Sequence, residues 1–392
     1  MSYDAIVIGA GPGGASAALS LARQGRSVAI IERSEFPRRK VCGEFISAVN
    51  LALLDRLGVG EAFRDLAGPE VSRLALFAAG PALEAPMPKA SGNAFGRALG
   101  RDVLDGLLLE AAKAEGVTVL QPWRAVEISR EGELGLVRIE DRDQQLELSA
   151  PVVIAAHGSW EPGKLASNLE KRNQKHDFLG FKAHFTEAAL ASDLMPLMVF
   201  PGGYGGMVWA DQGRLSVSCC IRRDVLTRLR VEHAGLSAAE VVHLHIMGSC
   251  PAVRSAIGGA SLHGEWLAAG PIRPGIRPRF AAEIFRVGNI AGESHPIIAE
   301  GISMALQSGW LLAEQLAQVK TWDRAGREAA GANYASVWRR QFATRIRAAD
   351  VLSRLAIFPQ SAALMRGVVN VFPAALSIGA RLSGKTKTLP GF

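Results

Sequence analysis

Residues 4–33 read DAIVIGAGPGGASAALSLARQGRSVAIIER, and this stretch decides the fold. Ala5–Ile8 is a short apolar run of strand character. A glycine-rich turn follows, then small and apolar residues recur at helical spacing up to Arg23, and a second apolar run ends in the acid Glu32. Gly9, Gly11 and Gly14 form G-x-G-x-x-G, with Gly13 inside it. The first glycine permits the tight turn, the second lets backbone approach a pyrophosphate, and the third lets the helix press on the strand. The phosphates then face the N-terminus of the helix, whose free N–H groups and dipole attract anions. Glu32 stands where a carboxylate accepts hydrogen bonds from an adenosine ribose. The segment is therefore a complete βαβ dinucleotide-binding unit. NAD and FAD present it with the same ADP half, so it leaves the choice between them open.

Outward from this unit, the 392 residues are 48% hydrophobic and 21% charged, which excludes a disordered chain and predicts two or three interwoven domains. The 42 glycines exceed an average share and carry no collagen period, so they mark tight turns and close backbone approach to a ligand. A net charge of +7 is spread along the chain; it argues against nucleic acid and admits a substrate carried on an acidic protein or peptide. The four cysteines, Cys42, Cys219, Cys220 and Cys250, include no C-x-x-C pair, which predicts free thiols and a cytoplasmic location. The first residues lack the basic and apolar regions of a signal peptide. Near the other end, Leu355–Met365 and Gly367–Ala380 are apolar but too short to span a bilayer. Two readings stand for them: a helical cap on the substrate pocket, and a peripheral membrane contact through amphipathic helices flanked by arginine and lysine.

Four separated segments resemble the p-hydroxybenzoate hydroxylase-like superfamily of FAD-dependent oxidoreductases, which includes flavin monooxygenases, geranylgeranyl reductases and halogenases. The first is the βαβ unit. The second, Pro37–Ser47, contains R-x-K-x-C-G-E and resembles a stretch that lies near the flavin in the reductase and halogenase branches. The third, Arg97–Ala112, resembles the segment whose arginine, here Arg101, reaches toward the FAD. The fourth, VGNIAGESHPIIAEGISM at 287–304, is similar to the second FAD fingerprint, with a helix starting near Gly301 against the flavin. It departs from the pattern at Asn289, His295 and Ala299. A fifth, shorter match is VVIAAHGS, Val152–Ser159, where His157 replaces an acid.

The resemblance implies an α/β fold: a Rossmann-like FAD-binding domain with an inserted antiparallel-sheet substrate domain and C-terminal helices. The boundaries implied are 1–75, 97–160 and 280–330 for the FAD-binding domain, 76–96 and 161–279 for the substrate domain, and 331–392 for the helical region. Strand patterns at Leu179–Phe185, Leu197–Phe200, Tyr204–Ala210 and Leu215–Ile221 agree with such an insert. The Pro201–Gly206 turn is either a plain hairpin or an approach of backbone to substrate. Helical periodicity covers Ala325–Leu355 and Ser361–Leu382.

From the fingerprint and the resemblance together, the FAD-binding residues are Gly9, Gly11, Gly13, Gly14, Glu32, Arg33, Cys42, Gly43, Arg101, Val126, Gly288, Asn289, Gly292, Ala299, Gly301 and Ile302. Glu44 and His295 are the catalytic candidates, and no metal site is expected because the histidines show no ligand spacing. No second G-x-G-x-x-G occurs, so electrons come from transiently docked NAD(P)H or from a partner flavin reductase. The implied activity put first is monooxygenation of an aromatic or apolar secondary-metabolite-type substrate through a flavin C4a-hydroperoxide. The alternative is a geranylgeranyl-reductase-like C=C reductase, with a halogenase or a non-catalytic flavoprotein subunit behind both. A halogenase is disfavoured because G-W-x-W-x-I-P is absent.

Overall fold

Ala5–Ile8 lies inside a six-stranded sheet, bonded in parallel register to Val28–Ile31 on one side and to Val152–Ala155 on the other. The computed structural model describes residues 1–90, 93–158, 165 and 173–391. The sheet runs on through Thr118–Leu120 at one edge and through Ile284–Arg286 and Phe280–Ala281 at the other. Strands covered on both faces read as unbroken apolar runs, and all four residues of Ala5–Ile8 are buried. Side chains alternate: Ala5 and Val7 join the core beneath the helices, whereas Ile6 and Ile8 pack under a three-stranded antiparallel sheet, Arg124–Glu131, Leu134–Asp141 and Gln144–Ala150.

The helix Pro12–Arg23 packs against a second helix, Gly301–Ala317. They come close at Gly309, where a Cβ would stand 2.3 Å from the Gly13 carbonyl oxygen. Ser16 Oγ donates to the Leu306 carbonyl at 2.8 Å across the same seam.

The inserted domain is a seven-stranded sheet in the order Ser261–Ile272, Phe178–Thr186, Leu215–Arg222, Gly203–Trp209, Leu194–Phe200, Arg73–Phe77, Leu83–Pro86. It is antiparallel except where Leu194–Phe200 runs parallel to Arg73–Phe77. Three short helices, Arg223–Glu232, Ala238–Ser249 and Pro251–Ile257, bury one face of it.

The structure corrects two boundaries. Residue 75 falls inside the strand Arg73–Phe77, which pairs wholly within the substrate sheet, so the first FAD-binding segment ends before Arg73. Residue 331 falls inside one continuous helix, Arg324–Ile357, since nothing in that stretch breaks the i to i−4 ladder. The periodic stretch 361–382 is two helices, Pro359–Val371 and Ala374–Leu382, because Pro373 cannot continue the first. Ser159 and the opening residues of the segment 161–279 lie outside the described residues. All four cysteines are free.

Candidate functional site

A cavity of about 870 Å³ starts at the glycine turn, passes beneath the seven-stranded sheet and ends among the C-terminal helices. Gly9, Gly11 and Gly13 form its floor at one end. Gly9 holds φ +107°, and a Cβ there would meet the Ala156 carbonyl oxygen at 2.7 Å, so only glycine turns the chain at this point. Gly14 lies off the cavity: its Cβ would stand 2.0 Å from the Gly9 oxygen, which makes it the contact between helix and strand. Neither the helix at Pro12 nor the one at Gly301 has a side-chain cap, and both N-termini border this cavity. Their free N–H groups form two anion-binding positions in one space.

Glu32 is buried on the cavity wall and accepts from the N–H groups of Ala10 at 2.9 Å and Ser34 at 3.1 Å, with the Arg38 guanidinium at 3.3 Å. These donors hold its carboxylate in place. Arg33 and Val126 line the same end. Arg101 begins the helix Arg101–Ala114 and forms a two-pronged bond with Asp105, both distances 2.7 Å. Burial alone lowers the pKa of such a guanidinium, but the Asp105 charge outweighs it and raises the value. Cys42 and Gly43 line the cavity beside it, and the Cys42 thiol interacts with Arg101.

From the second fingerprint, Gly288, Asn289, Ala299, Gly301 and Ile302 border the cavity. Gly288 holds φ +65° and donates its N–H to Ser308 Oγ at 2.8 Å. Asn289 Nδ2 donates to Glu293 at 3.3 Å. Gly292 does not reach the cavity: a Cβ there would strike the Trp338 ring at 2.4 Å, so it seats the long helix.

The two catalytic candidates occupy different environments. Glu44, at φ +64°, borders the cavity, but its carboxylate is engaged by Lys182, by His184 Nε2 at 2.7 Å and by the Arg101 N–H at 3.0 Å. Burial raises its pKa, yet the His184 hydrogen bond and the Lys182 charge prevail and bring it down to about 2. It is therefore a fixed anion that joins the cavity loop to the substrate sheet, and it carries no proton to donate at neutral pH. Arg39 donates to His184 Nδ1 at 3.4 Å, which leaves the Nε2–H to donate to Glu44. His295 stands behind the wall instead of on it. Its Nδ1 pairs with the Tyr204 hydroxyl at 2.9 Å and its Nε2 lies 3.6 Å from Asp350. Burial pushes its pKa down to about 4 against the pull of Asp350.

Sequence reasoning missed Lys182, His184, Glu293 and Lys385. Lys182 and His184 had a signal: they alternate on one face of an otherwise apolar strand, FLGFKAHF. Lys385 had none, because its partners Glu300 and the Ile298 carbonyl are distant in sequence. The Pro201–Gly202 turn is a hairpin, and Tyr204, Gly205 and Gly206 beyond it line the cavity.

This constellation is that of a flavoprotein, and the FAD binding domain family matches residues 2–221, more than half of the chain, so the protein belongs to that family. It is an FAD-dependent oxidoreductase. Menaquinone reductase of Mycobacterium tuberculosis is 28% identical over 332 residues, covering 80% of this chain and 76% of that protein. Digeranylgeranylglycerophospholipid reductase of Methanothrix thermoacetophila is 26% identical over 367 residues, 88% of this chain and 85% of the relative. Among solved structures, the flavin-dependent brominase Bmp2 superposes with TM-score 0.77 at 17% identity, covering 98% and 94% of the two chains. A geranylgeranyl bacteriochlorophyll reductase-like protein of Thermoplasma acidophilum gives 0.70 at 18% identity, covering 97% and 99%. The structural likenesses establish the fold; the expected α/β architecture with its inserted antiparallel sheet is the one observed.

Proposed function

We propose that the protein reduces carbon–carbon double bonds in a substrate with a long apolar chain, polyprenyl in kind. One observation carries the choice of substrate: beyond the flavin end the cavity continues into a chamber walled largely by apolar side chains, among them Leu352, Leu355, Leu364, Met365, Val368 and Leu376, and suited to a hydrocarbon chain. The similarity to reductases named for menaquinone and for a digeranylgeranyl lipid supports it.

The residues present fit FAD. The Gly9–Gly13 turn and the Pro12 helix N-terminus would hold the pyrophosphate, Glu32 the adenosine ribose, and the backbone at Gly301 and Ile302 the negative side of the ring, with Arg101 and Cys42 on the wall of the same cavity. When bound, FAD supplies the hydride chemistry. The chain supplies the rest: Glu44, Lys182 and His184 lock the sheet over the cavity, and the apolar chamber orients the substrate chain. Electrons reach the site from NAD(P)H docking transiently or from a partner reductase.

The test is anaerobic photoreduction of the yellow protein, then mixing with a polyprenyl quinone or a geranylgeranyl lipid. Reoxidation of the flavin without oxygen is expected, with two hydrogens gained in the polyprenyl chain itself, a mass that persists after air has returned any quinol to the quinone. Hydroxylation, placed first on sequence grounds, draws on the same cavity. It becomes the function if reoxidation needs oxygen and labelled oxygen enters the product.

A further inference from the structure

We propose that the two C-terminal helices dock on an anionic lipid bilayer and set the mouth of the cavity on its surface. Nine of the sixteen large apolar side chains most exposed among the described residues fall between Val351 and Leu382. The helix Pro359–Val371 is apolar on both sides. Ala362, Met365 and Val369 pack inward, whereas Leu364, Val368 and Val371 face outward at 70%, 51% and 85% exposure, followed by Phe372 at 51%. A contiguous exposed apolar stripe marks an interaction surface, and no protein element covers this one in the described chain.

The occupant follows from three features. First, Leu355, Leu364 and Val368 are both exposed and part of the cavity wall, so the cavity opens within the apolar patch. A partner covering the patch must therefore be a source of apolar ligand. Second, after Asp350 the chain holds no Asp or Glu but five basic residues, Arg354, Arg366, Arg381, Lys385 and Lys387. Glu300 neutralises Lys385 and Asp350 pairs with Arg354, which leaves a positive excess suited to anionic headgroups. Third, the two helices meet at a bend of 115°, and at about 20 Å and about 14 Å each is too short to cross a hydrocarbon core of about 30 Å. They are shaped to lie in the interface.

The choice of a lipid source rests on the apolar-substrate reading proposed above, but the two fail separately. Vesicle binding is read without turnover, and turnover on a detergent-solubilised polyprenyl compound is read without a bilayer. The experiment sediments the FAD-loaded full chain with vesicles of mixed phosphatidylcholine and phosphatidylglycerol, against phosphatidylcholine alone. Preferential partition to the anionic vesicles is expected, weakened but not abolished by salt. The double variant Val371→Glu, Phe372→Glu, altered only at exposed positions, is expected to partition about tenfold less or lower still, with unchanged flavin absorbance and melting midpoint. Absence of wild-type partition overturns the proposal, as does equal partition of the variant. A lipid-free dimer that the double variant dissolves also overturns it, since a second copy then covers the patch.

Discussion

His184 Nε2 lies 2.7 Å from Glu44 Oε2, a bond between the substrate sheet and the loop beside the flavin cavity that spans 140 residues of sequence. With Lys182 on the other carboxylate oxygen, it makes the interface between the two domains a buried ionic joint. Such a joint contributes little net stability compared with an apolar one, but losing one member leaves an uncompensated buried charge.

Glu44→Gln therefore destabilises the protein by about 3–5 kcal/mol, because the Lys182 ammonium loses its counter-charge. The acid limb gives a second reading. Glu44 is held at about 2 against an ordinary 4.5, so the unfolded chain takes up its proton first. Stability from this group is complete above pH 4.5 and is lost as pH falls from there to about 2, by about 3 kcal/mol. Denaturant midpoints against pH are expected to show this loss in the wild type and a shallower one in the variant.

His295 acts in a higher pH window. Its folded pKa of about 4 lies below the ordinary 6.5, so protonation again favours the unfolded chain. Stability held above pH 6.5 declines toward pH 4, by up to about 3 kcal/mol. His295→Gln keeps a polar partner for Tyr204 but removes the titration. Its urea midpoint is expected to change less than that of the wild type between these two pH values.

Two glycine-to-alanine changes are expected to act in opposite directions. At Gly309 a Cβ would press on the Gly13 carbonyl at 2.3 Å and the Ala17 nitrogen at 2.8 Å. Prising these helices apart costs about 1–3 kcal/mol and distorts a turn that lines the cavity, so FAD retention falls with stability. At Gly106, inside the helix Arg101–Ala114, nothing lies within 4 Å of the added carbon. There alanine raises stability by up to about 1 kcal/mol through helix propensity. Thermal melts and flavin content on purification check both.

Glu32→Ala removes the acceptor of the Ala10 and Ser34 N–H groups and the expected ribose contact. FAD affinity, followed by quenching of flavin fluorescence on titrating the apoprotein, is expected to fall about tenfold to a hundredfold. Unchanged affinity would refute the ribose assignment.

The dinucleotide unit was legible because its logic is local. Strand, turn, helix and acid lie within thirty consecutive residues, and the φ of +107° at Gly9 and the Gly14 contact with the Gly9 carbonyl oxygen are set within the turn itself. The second fingerprint was legible in its spacing, yet the sequence did not distinguish Gly292, which seats Trp338, from Gly288, which borders the cavity. It likewise presented Glu44 and His295 as equivalent candidates. Only the tertiary structure separated a carboxylate held ionised by Lys182 and His184 from an imidazole held neutral behind Tyr204. The charge state of a buried group depends on the burial and the partners that folding brings to it, and here those partners come from strands more than ninety residues away. The length of the apolar chamber was likewise decided by the packing of the C-terminal helices against a sheet encoded far upstream.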